Sequence, residues 1–313
     1  MLKLLKIIIT IIIILAVLAV GGFIALLAVS DWDINNLKYE NHEYEISEAF
    51  DSISIDVKGS YVKLIPSTDG QCRVVCFENN NYKHSVNVEN DTLVVTSIHK
   101  KVFFGYKNTL VTVYLPEKEY NSVDVVTTSG DIDVKNLSAK NINCNVDTGD
   151  LELENVVCAT LSSTGDTGDV DLENLVTANN LTIKRDTGYI EASLLSCGGD
   201  AIVEVDTGDI SIDLITCKNL SIKSDTGEVE VDNAKIDNKF TSVIDTGDLN
   251  FTKMDVNEAE ITSDTGEVKG SFTSDKIFIV RTSTGKVDVP ETTSGGVCKI
   301  TTHTGDIIIK IGN

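Results

Sequence analysis

The tetrapeptide "DTGD" at residues 147–150 decides the fold, because it returns at 166–169, 206–209 and 245–248. It belongs to a longer series in which a Ser-Gly or Thr-Gly pair recurs every 19 or 20 residues. The ten glycines of this series are Gly130, Gly149, Gly168, Gly188, Gly208, Gly227, Gly247, Gly266, Gly285 and Gly305. A fixed period of this length is typical of a solenoid, in which each repeat forms one coil of a continuous stack.

Asp-Thr-Gly is also the stretch that carries the catalytic carboxylate of pepsin-like aspartic proteases. Such an enzyme needs two of these loops, one from each lobe, so that two carboxylates meet and share a proton. Ten evenly spaced copies cannot meet at one pair, and Thr128, Ser283 and His303 replace the Asp in three of them. The spacing therefore favours a structural turn over a protease site.

The residues around each turn predict strands. Apolar residues alternate after the turn, as at Leu151 and Leu153, and before it, as at Leu220 and Ile222. Asp is a good turn residue, and Gly takes the positive φ that other residues resist. Each repeat is thus expected to contain a turn, a short strand, a corner and a second strand. Coils stacked at about 4.8 Å would join their apolar sides into one core, so the chain is predicted to be an all-β parallel β-solenoid (β-helix) of about ten coils. An antiparallel β-sandwich is the alternative.

The corner after the first strand carries a repeated asparagine. Six residues past their glycines lie Asn136, Asn155, Asn174 and Asn233. Equivalent amides in stacked strands can hydrogen-bond along the stack. This position is therefore predicted to form an asparagine ladder.

The N-terminus is apolar. Residues 7–29 form an uncharged, largely apolar run of 23 residues. This run is long enough for one transmembrane helix. Lys3 and Lys6 precede this run and Asp31 and Asp33 follow it. The positive-inside rule then predicts a single-pass cell-membrane protein with a cytoplasmic N-terminus and an extracellular C-terminal domain. Trp32 would lie at the outer membrane interface. A cleaved signal peptide is the competing interpretation.

The chain divides into four predicted segments. Residues 1–30 form the cytoplasmic stub and anchor, 31–50 a stalk, 51–120 an irregular β head or cap, and 121–313 the solenoid repeats. The head would cover the membrane-proximal end of the stack, since an open end exposes an edge to pairing. The other end runs out in "DIIIKIGN" at 306–313 without an obvious cap. End-to-end self-association through this C-terminal coil is therefore expected.

Sequence motifs predict no catalytic, cofactor-binding or metal-binding residues and no cofactor. Cys144 and Cys298 fall on the apolar phase of their strands, where a thiol acts as a small hydrophobe. Cys72 and Cys76 are too far apart along a strand for an easy disulfide and lack zinc-site spacing. We expect buried free thiols, with a metal or redox role for Cys72 and Cys76 as the alternative.

The net charge of −22 argues against a nucleic-acid partner, which needs clustered Lys and Arg. The acidity is ordered, because eight of the ten turn glycines are followed by Asp or Glu and seven are preceded by Asp two residues earlier. Neighbouring carboxylates about 4.8 Å apart repel by roughly 0.9 kcal/mol in water. We expect a solvated edge whose Asp side chains cap backbone N–H groups, with divalent-cation binding as the alternative.

Several motifs taken together resemble a known family. The apolar N-terminus, "DSISIDVKGSYVKLIPS" at 51–67, "VTVYLP" at 111–116, "VDVVTTSGDIDV" at 123–134 and the serial "DTGD" coils are similar to the bacterial putative-adhesin family of β-strand-repeat, LiaG-like, membrane-anchored proteins of unknown function. The resemblance covers roughly residues 50–313. It implies a surface β-solenoid without catalytic residues.

The predicted function is therefore that of an adhesion, scaffold or cell-envelope-associated binding module and not of an enzyme. A cell-wall polymer, surface polymer or envelope protein is the expected partner. A β-helical polysaccharide-processing enzyme is one alternative, although aromatic residues that could bind sugars are sparse in the repeats. A divalent-cation-binding surface protein is the other.

Overall fold

A computed structural model describes residues 2–29, 38–99 and 109–312 of the chain. Helix α1 (Leu2–Val29) stands at the N-terminus, and its side chains are described at 11–12 and 14–28. All the strands that follow belong to one continuous hydrogen-bonded sheet. The all-β parallel solenoid predicted from the glycine period is confirmed.

The first eight strands include those that close one end of the stack. They are β1 (Glu40–Ile46), β2 (Ser52–Val57), β3 (Ser60–Pro66), β4 (Cys72–Glu78), β5 (Tyr82–Glu89), β6 (Thr92–His99), β7 (Thr109–Leu115) and β8 (Glu119–Thr127). The remaining strands form the regular coils. They are β9 (Ile132–Lys135), β10 (Ser138–Val146), β11 (Leu151–Thr167), β12 (Val170–Thr177), β13 (Leu181–Thr187), β14 (Ile190–Cys197), β15 (Asp200–Thr207), β16 (Ile210–Thr226), β17 (Val229–Asp232), β18 (Lys235–Thr246), β19 (Leu249–Thr265), β20 (Val268–Phe272), β21 (Lys276–Thr284), β22 (Val287–Asp288), β23 (Gly296–Thr304) and β24 (Ile307–Ile311).

One coil contains three straight stretches, not the two predicted. In β11 the buried positions advance by two within a stretch and by three at each of two corners. They are Leu151, Leu153, Val156, Cys158, Leu161 and Ser163. Because strand side chains alternate between faces, each three-residue step marks a bend that keeps the apolar side inward. The inward residues of all coils merge into a single core that runs the length of the stack.

The first corner is a column of left-handed residues. The residue six positions after the turn glycine has φ near +55° at Asn136, Asn155, Asn174, Leu194, Leu214, Asn233 and Lys253. Asn tolerates this conformation better than other residues except Gly. The expected amide ladder reduces to one bond, in which Asn174 Nδ2 donates to Asn155 Oδ1 at 2.6 Å. Asparagine recurs here chiefly because the corner demands a left-handed backbone.

The turn glycines stack in a line, as predicted. All ten have φ between 138° and 153°, a region that is strained for other residues. A Cβ added to any of the nine after Gly130 would collide with the carbonyl oxygen of a glycine in the adjacent coil. Both backbone angle and close approach therefore require glycine.

The predicted irregular head is partly solenoid. Strands β2 and β3 pair in parallel with β8 and β9, and β6 and β7 add a further rung. Antiparallel strands then close this end, because β4 pairs with β7, β1 with β4, and β5 with β6. Part of the predicted stalk is thus strand β1. Trp32 lies outside the described residues.

The last two coils stack in the opposite order to their order in the sequence. Strand β19 pairs with β23 and β20 with β24, while β21 and β22 pair on the far side of β23 and β24. Gly305 accordingly lies between Gly266 and Gly285. The C-terminal strand is therefore inserted as the penultimate rung. The outermost rung is β21 and β22, so the open end is not the C-terminal coil that the sequence suggested.

The membrane prediction is contradicted. A helix needs about 20 apolar residues to cross the hydrocarbon core of a bilayer. Within the described part of the chain, no helix combines sufficient length with sufficient apolarity to span a membrane. The single-pass anchor, the cytoplasmic N-terminus and the extracellular C-terminal domain are therefore not supported.

Candidate functional site

The turn edge of the solenoid carries a column of carboxylates that cap backbone groups. The Asp that follows a turn glycine accepts a hydrogen bond from the N–H of the equivalent residue in the next rung, at 2.7–3.0 Å. The acceptors are Asp131, Asp150, Asp169, Asp209, Asp248 and Asp306. The expectation that Asp side chains of this edge cap backbone N–H groups is confirmed for the Asp after the glycine. The neighbouring rung presents the N–H group.

A second acidic surface lies beside this edge, on the outer side of the strands that follow the turns. One row contains the third residue after each turn glycine, and rung pairing aligns Asp133, Glu152, Asp171, Glu191 and Glu230 along it. A second row, two residues further on, contains Glu154, Glu173, Asp213 and Asp232. We call these two rows the acidic face.

A lysine already occupies one end of the acidic face. Lys135 Nζ lies 2.6 Å from Glu152 Oε1, 3.0 Å from Glu154 Oε2 and 3.8 Å from Asp133 Oδ1. These carboxylates raise the pKa of Lys135 well above its ordinary value, mainly through the hydrogen bond to Glu152. Carboxylates of two adjacent rungs thus hold one ammonium group.

Further along the acidic face the carboxylates lack such a partner. Of the residues that the structure describes, Asp171, Glu173, Glu191 and Glu230 form no ion pair. Partial burial raises the pKa of Asp171, and the neighbouring Glu152 carboxylate adds to this effect. Crowded like charges of this kind favour a proton or an external cation.

The outer side of the strands that precede the turns differs in charge. Ser and Thr are frequent there, and its carboxylates are neutralised by lysines of adjacent rungs. Lys184 and Glu204 lie 2.7 Å apart, and Glu260 binds both Lys239 and Lys299 at 2.7 and 3.0 Å. Of the two outer strand faces, the acidic face therefore carries more of the unpaired negative charge, in addition to the carboxylates of the turn edge.

A buried polar cluster lies at the closed end, between β1, β4 and β5. His84 Nδ1 is 2.9 Å from Glu78 Oε2, and His84 Nε2 is 3.1 Å from Ser60 Oγ. His42 Nδ1 lies 3.3 Å from the other Glu78 oxygen. Burial alone would raise the pKa of Glu78, but the hydrogen bonds from His84 outweigh it and hold that pKa below its ordinary value.

Hydrogen bonds link Ser60 to His84 and His84 to Glu78. A nucleophile, a general base and an orienting carboxylate are linked in the same way in catalytic triads. Ser60 is fully buried, however, and also hydrogen-bonds Thr109 Oγ1. A substrate cannot reach its hydroxyl without opening the end of the stack. The arrangement as described is a buried network and not an accessible catalytic centre.

All seven cysteines are buried, as predicted. Burial raises the pKa of Cys76 to about 12, and the Glu78 carboxylate contributes in the same direction. Its thiol is therefore protonated at neutral pH. Cys72 lies four residues earlier on the same strand, and burial raises its pKa to about 11.

Sequence reasoning found the turn carboxylates but missed both other features. The acidic face was visible as a recurrent acidic residue three positions after the glycine, at the outward phase of the strand. The buried cluster had no such signal, because His42, Ser60, Glu78 and His84 come from separate strands of the non-repetitive segment. Only the fold brings them together.

The segment that forms the stacked coils also matches a known protein family. One family description matches residues 50–202 and again residues 180–313. The chain belongs to the Toastrack DUF4097 family. The resemblance to bacterial putative adhesins is confirmed by this family match, together with the similar fold of a solved structure that is named a putative adhesin.

Three solved structures illustrate the likeness. A putative adhesin from Parabacteroides distasonis has 10% identity and a TM-score of 0.50, with 87% of this chain and 97% of that chain covered. A putative adhesin from Bacteroides fragilis has 13% identity and a TM-score of 0.38, with 88% and 99% covered. A putative lipid binding protein from Parabacteroides distasonis has 15% identity and a TM-score of 0.46, with 87% and 98% covered. At these identities the likeness concerns the fold alone. No curated protein matches the chain.

Proposed function

We propose that this Toastrack protein is a non-catalytic, adhesion-type binding module that holds a positively charged macromolecular partner on its acidic face. The observation that carries the proposal is the contact of Lys135 with Glu152, Glu154 and Asp133. Lys135 shows how an ammonium group binds to carboxylates of adjacent rungs. The same rows continue past Asp171 and Glu191 to Glu230, and the first row meets its next lysine, Lys269, two rungs beyond Glu230.

The solenoid suits such binding because it fixes the spacing of its charges. Rungs about 4.8 Å apart present carboxylates in two parallel rows, and the backbone hydrogen bonds of each rung hold them in place. A partner with several amines or guanidinium groups can bind many rungs at once, which raises its overall affinity through effective concentration. Long-range attraction from the net charge of −22 also accelerates encounter with a basic partner. A basic surface protein or an amine-bearing envelope polymer has the required chemistry.

The turn edge is a poorer candidate for divalent-cation binding. One oxygen of each capping Asp already accepts a backbone N–H. Calcium sites, by contrast, collect six to eight oxygen ligands of mixed type. The cation proposed here is therefore a group on a partner molecule, and its place is the acidic face.

A binding experiment with matched variants tests the proposal. One variant neutralises the acidic face through Asp171→Asn, Glu173→Gln, Glu191→Gln and Glu230→Gln. The control removes the same charge elsewhere through Glu117→Gln, Glu119→Gln, Asp237→Asn and Glu258→Gln, all at exposed positions. The probe is an immobilised lysine-rich peptide of about 20 residues, with its acetylated form as reference.

We expect the acidic-face variant to bind the peptide at least ten-fold more weakly than the control variant. Lys135→Met should bind it more tightly, because the variant frees three carboxylates from their internal cation. Equal weakening in both quadruple variants would show that net charge alone governs binding and would contradict the proposal.

A further inference from the structure

The buried cluster at the closed end contains four metal-ligating side chains from three strands. His42 lies on β1, Cys76 and Glu78 on β4, and His84 on β5. The Cys76 sulfur, a Glu78 oxygen and a His84 nitrogen all lie within 4.8 Å of one another, and all three residues are buried. His42 is the cross-strand partner of Cys76 and lies 3.3 Å from Glu78 Oε1.

We propose that Cys76, Glu78, His84 and His42 form a binding site for one divalent transition-metal ion, with zinc as the best match. Cysteine, histidine and carboxylate ligands in a set of four are typical of zinc. Bond lengths of about 2.0–2.3 Å place tetrahedral ligand atoms roughly 3.3–3.8 Å apart. The ligand atoms of Cys76, Glu78 and His84, which lie within 4.8 Å of one another, therefore need only small rotations to close around an ion, and His42 approaches from the Glu78 side.

The charges of this ligand set suit a buried position. When the metal ion binds, the Cys76 thiol releases its proton to solvent. The resulting thiolate and the carboxylate of Glu78 together balance a divalent ion, while both histidines bind as neutral rings. The filled site has no net charge, so its burial avoids the large cost of an uncompensated ion. Acidic residues on the solenoid surface offer oxygen ligands only and lack this balance.

Neighbouring hydrogen bonds orient the ligands. Ser60 Oγ can accept the Nε2–H of His84, which leaves Nδ1, on the Glu78 side, free to bind the ion. Ser60 in turn contacts Thr109. Tyr44 donates its hydroxyl to Glu78 Oε1 at 3.3 Å. Such outer hydrogen bonds fix the tautomer of a metal-binding histidine and the orientation of a carboxylate.

The position of the site indicates a structural role. Four protein ligands leave no open coordination position for a substrate. The ion would tie β1, β4 and β5 together at the end where the parallel stack changes to antiparallel pairing. The side chain of His42 is 48% exposed, which provides an entry path for the ion.

Cobalt titration of the full purified chain, kept reduced and first treated with a chelator, tests this site independently of the acidic face. Cobalt bound by a thiolate gives a charge-transfer absorption that carboxylate-bound cobalt lacks. We expect this absorption to saturate at one ion per chain and to disappear when zinc is added. Cys76→Ser should abolish it. Cys72→Ser is the matched control and should retain it, because Cys72 lies about 13 Å away along the strand.

Two further variants keep the test informative if Cys76→Ser fails to fold. His42→Gln changes a half-exposed ligand, and Ser60→Ala removes only an outer hydrogen bond. Both should retain folded circular dichroism spectra and lower cobalt affinity at least ten-fold. A folded wild-type chain without the thiolate absorption would overturn the proposal, as would its loss in Cys72→Ser or its persistence in Cys76→Ser.

Discussion

At the residue scale, two backbone positions define each coil. The turn glycine allows adjacent coils to approach closely, and the left-handed corner six residues later turns the chain toward the next face. The two positions tolerate substitution differently. A side chain at the turn meets the neighbouring backbone, whereas the corner accepts Asn, Leu or Lys at the cost of strain.

The glycine column predicts a severe effect of Gly208→Ala. The added methyl would strike the Gly188 carbonyl oxygen, and φ at Gly208 is 140°. We expect a loss of more than about 3 kcal/mol in unfolding free energy, measured by chemical denaturation. Gly70→Ala is the control, since its φ is positive but nothing lies within 4 Å of the added methyl. Equal losses in both variants would mean that stacking contact is unimportant.

The corner predicts a stabilising substitution. Leu214 has φ of 60° and a side chain that is 45% exposed, so it contributes strain and little burial. Leu214→Asn should raise the unfolding free energy by about 1 kcal/mol, because Asn accepts the left-handed conformation more readily. The reverse change, Asn174→Leu, should lower it by a similar amount. A destabilising Leu214→Asn in the same denaturation assay would refute this account of the corner.

The spacing of residues in the sequence predicts the turn glycines and part of the left-handed corner. The period located all ten turn glycines, because only glycine combines the required φ with close stacking. The repeated asparagines located the corner. Their recurrence suggested an amide ladder, whereas the left-handed backbone is the main reason for it. Leu194, Leu214 and Lys253 take the same backbone conformation without any sequence signature, since the geometry of the stack overrides their intrinsic preference.

At the element scale, the strands after the turns combine an apolar inner side with the acidic face. Their parallel register brings like charges together in adjacent rungs. The backbone hydrogen bonds that form the solenoid therefore also impose electrostatic repulsion. Lys135 reduces this repulsion at one end of the acidic face through its ion pair with Glu152. Asp171 lies one rung beyond Glu152.

This crowding predicts the pH dependence of an Asp171→Asn variant. The pKa of Asp171 in the folded protein is raised above its ordinary value of 3.8, by burial first and by Glu152 second. Its contribution to stability is therefore present below pH 3.8 and is lost as pH rises through the folded pKa. The variant should melt at a higher temperature than wild type at pH 7, with the difference vanishing below pH 3.8.

Asp237→Asn removes the same charge far from the acidic face and serves as the control in thermal melts. A stabilisation by Asp171→Asn that persists unchanged at acid pH would rule out titration of Asp171 as its cause. So would an equal gain from Asp237→Asn at pH 7.

The order of the last strands could not be predicted from the sequence. The turns at Gly285 and Gly305 both keep the Thr-Gly pair and the 19- or 20-residue period, so the period alone does not indicate which coil follows the Gly266 coil. The structure places Gly305 next to Gly266 and leaves β21 outermost. Which strand pairs with β19 depends on packing across several coils, and a short turn motif does not encode that packing.

At the scale of the whole molecule, the solenoid has one closed end and one open end. Antiparallel strands cover the first. At the second, β21 pairs only with β23 among the described strands and leaves its other edge free. Ile277 and Ile279 are also exposed there, at 40% and 57%. Self-association stays a prediction, and its expected surface moves from the C-terminal strand to β21.

Sedimentation velocity tests this prediction. A second copy pairing with the free edge of β21 should produce concentration-dependent dimers, and Ile279→Lys should shift them to monomers, because charged residues on edge strands oppose pairing. Ile202→Lys is the matched control, since strand pairing across the intervening rungs places Ile202 in the same outward row. A wild-type chain that stays monomeric at all concentrations, or dimers that survive Ile279→Lys, would exclude this edge as the interface.

The central claim is that the acidic face binds a positively charged partner, and its footprint can be measured directly. Zero-length carbodiimide coupling joins a carboxylate only to an amine in direct contact with it. Coupling of the lysine-rich peptide to the full chain, followed by mass spectrometry, should modify Asp171, Glu173, Glu191 and Glu230 preferentially, and high salt should suppress the reaction by screening. Coupling spread evenly over these residues and the exposed carboxylates Glu117, Glu119, Asp237 and Glu258 would contradict the account.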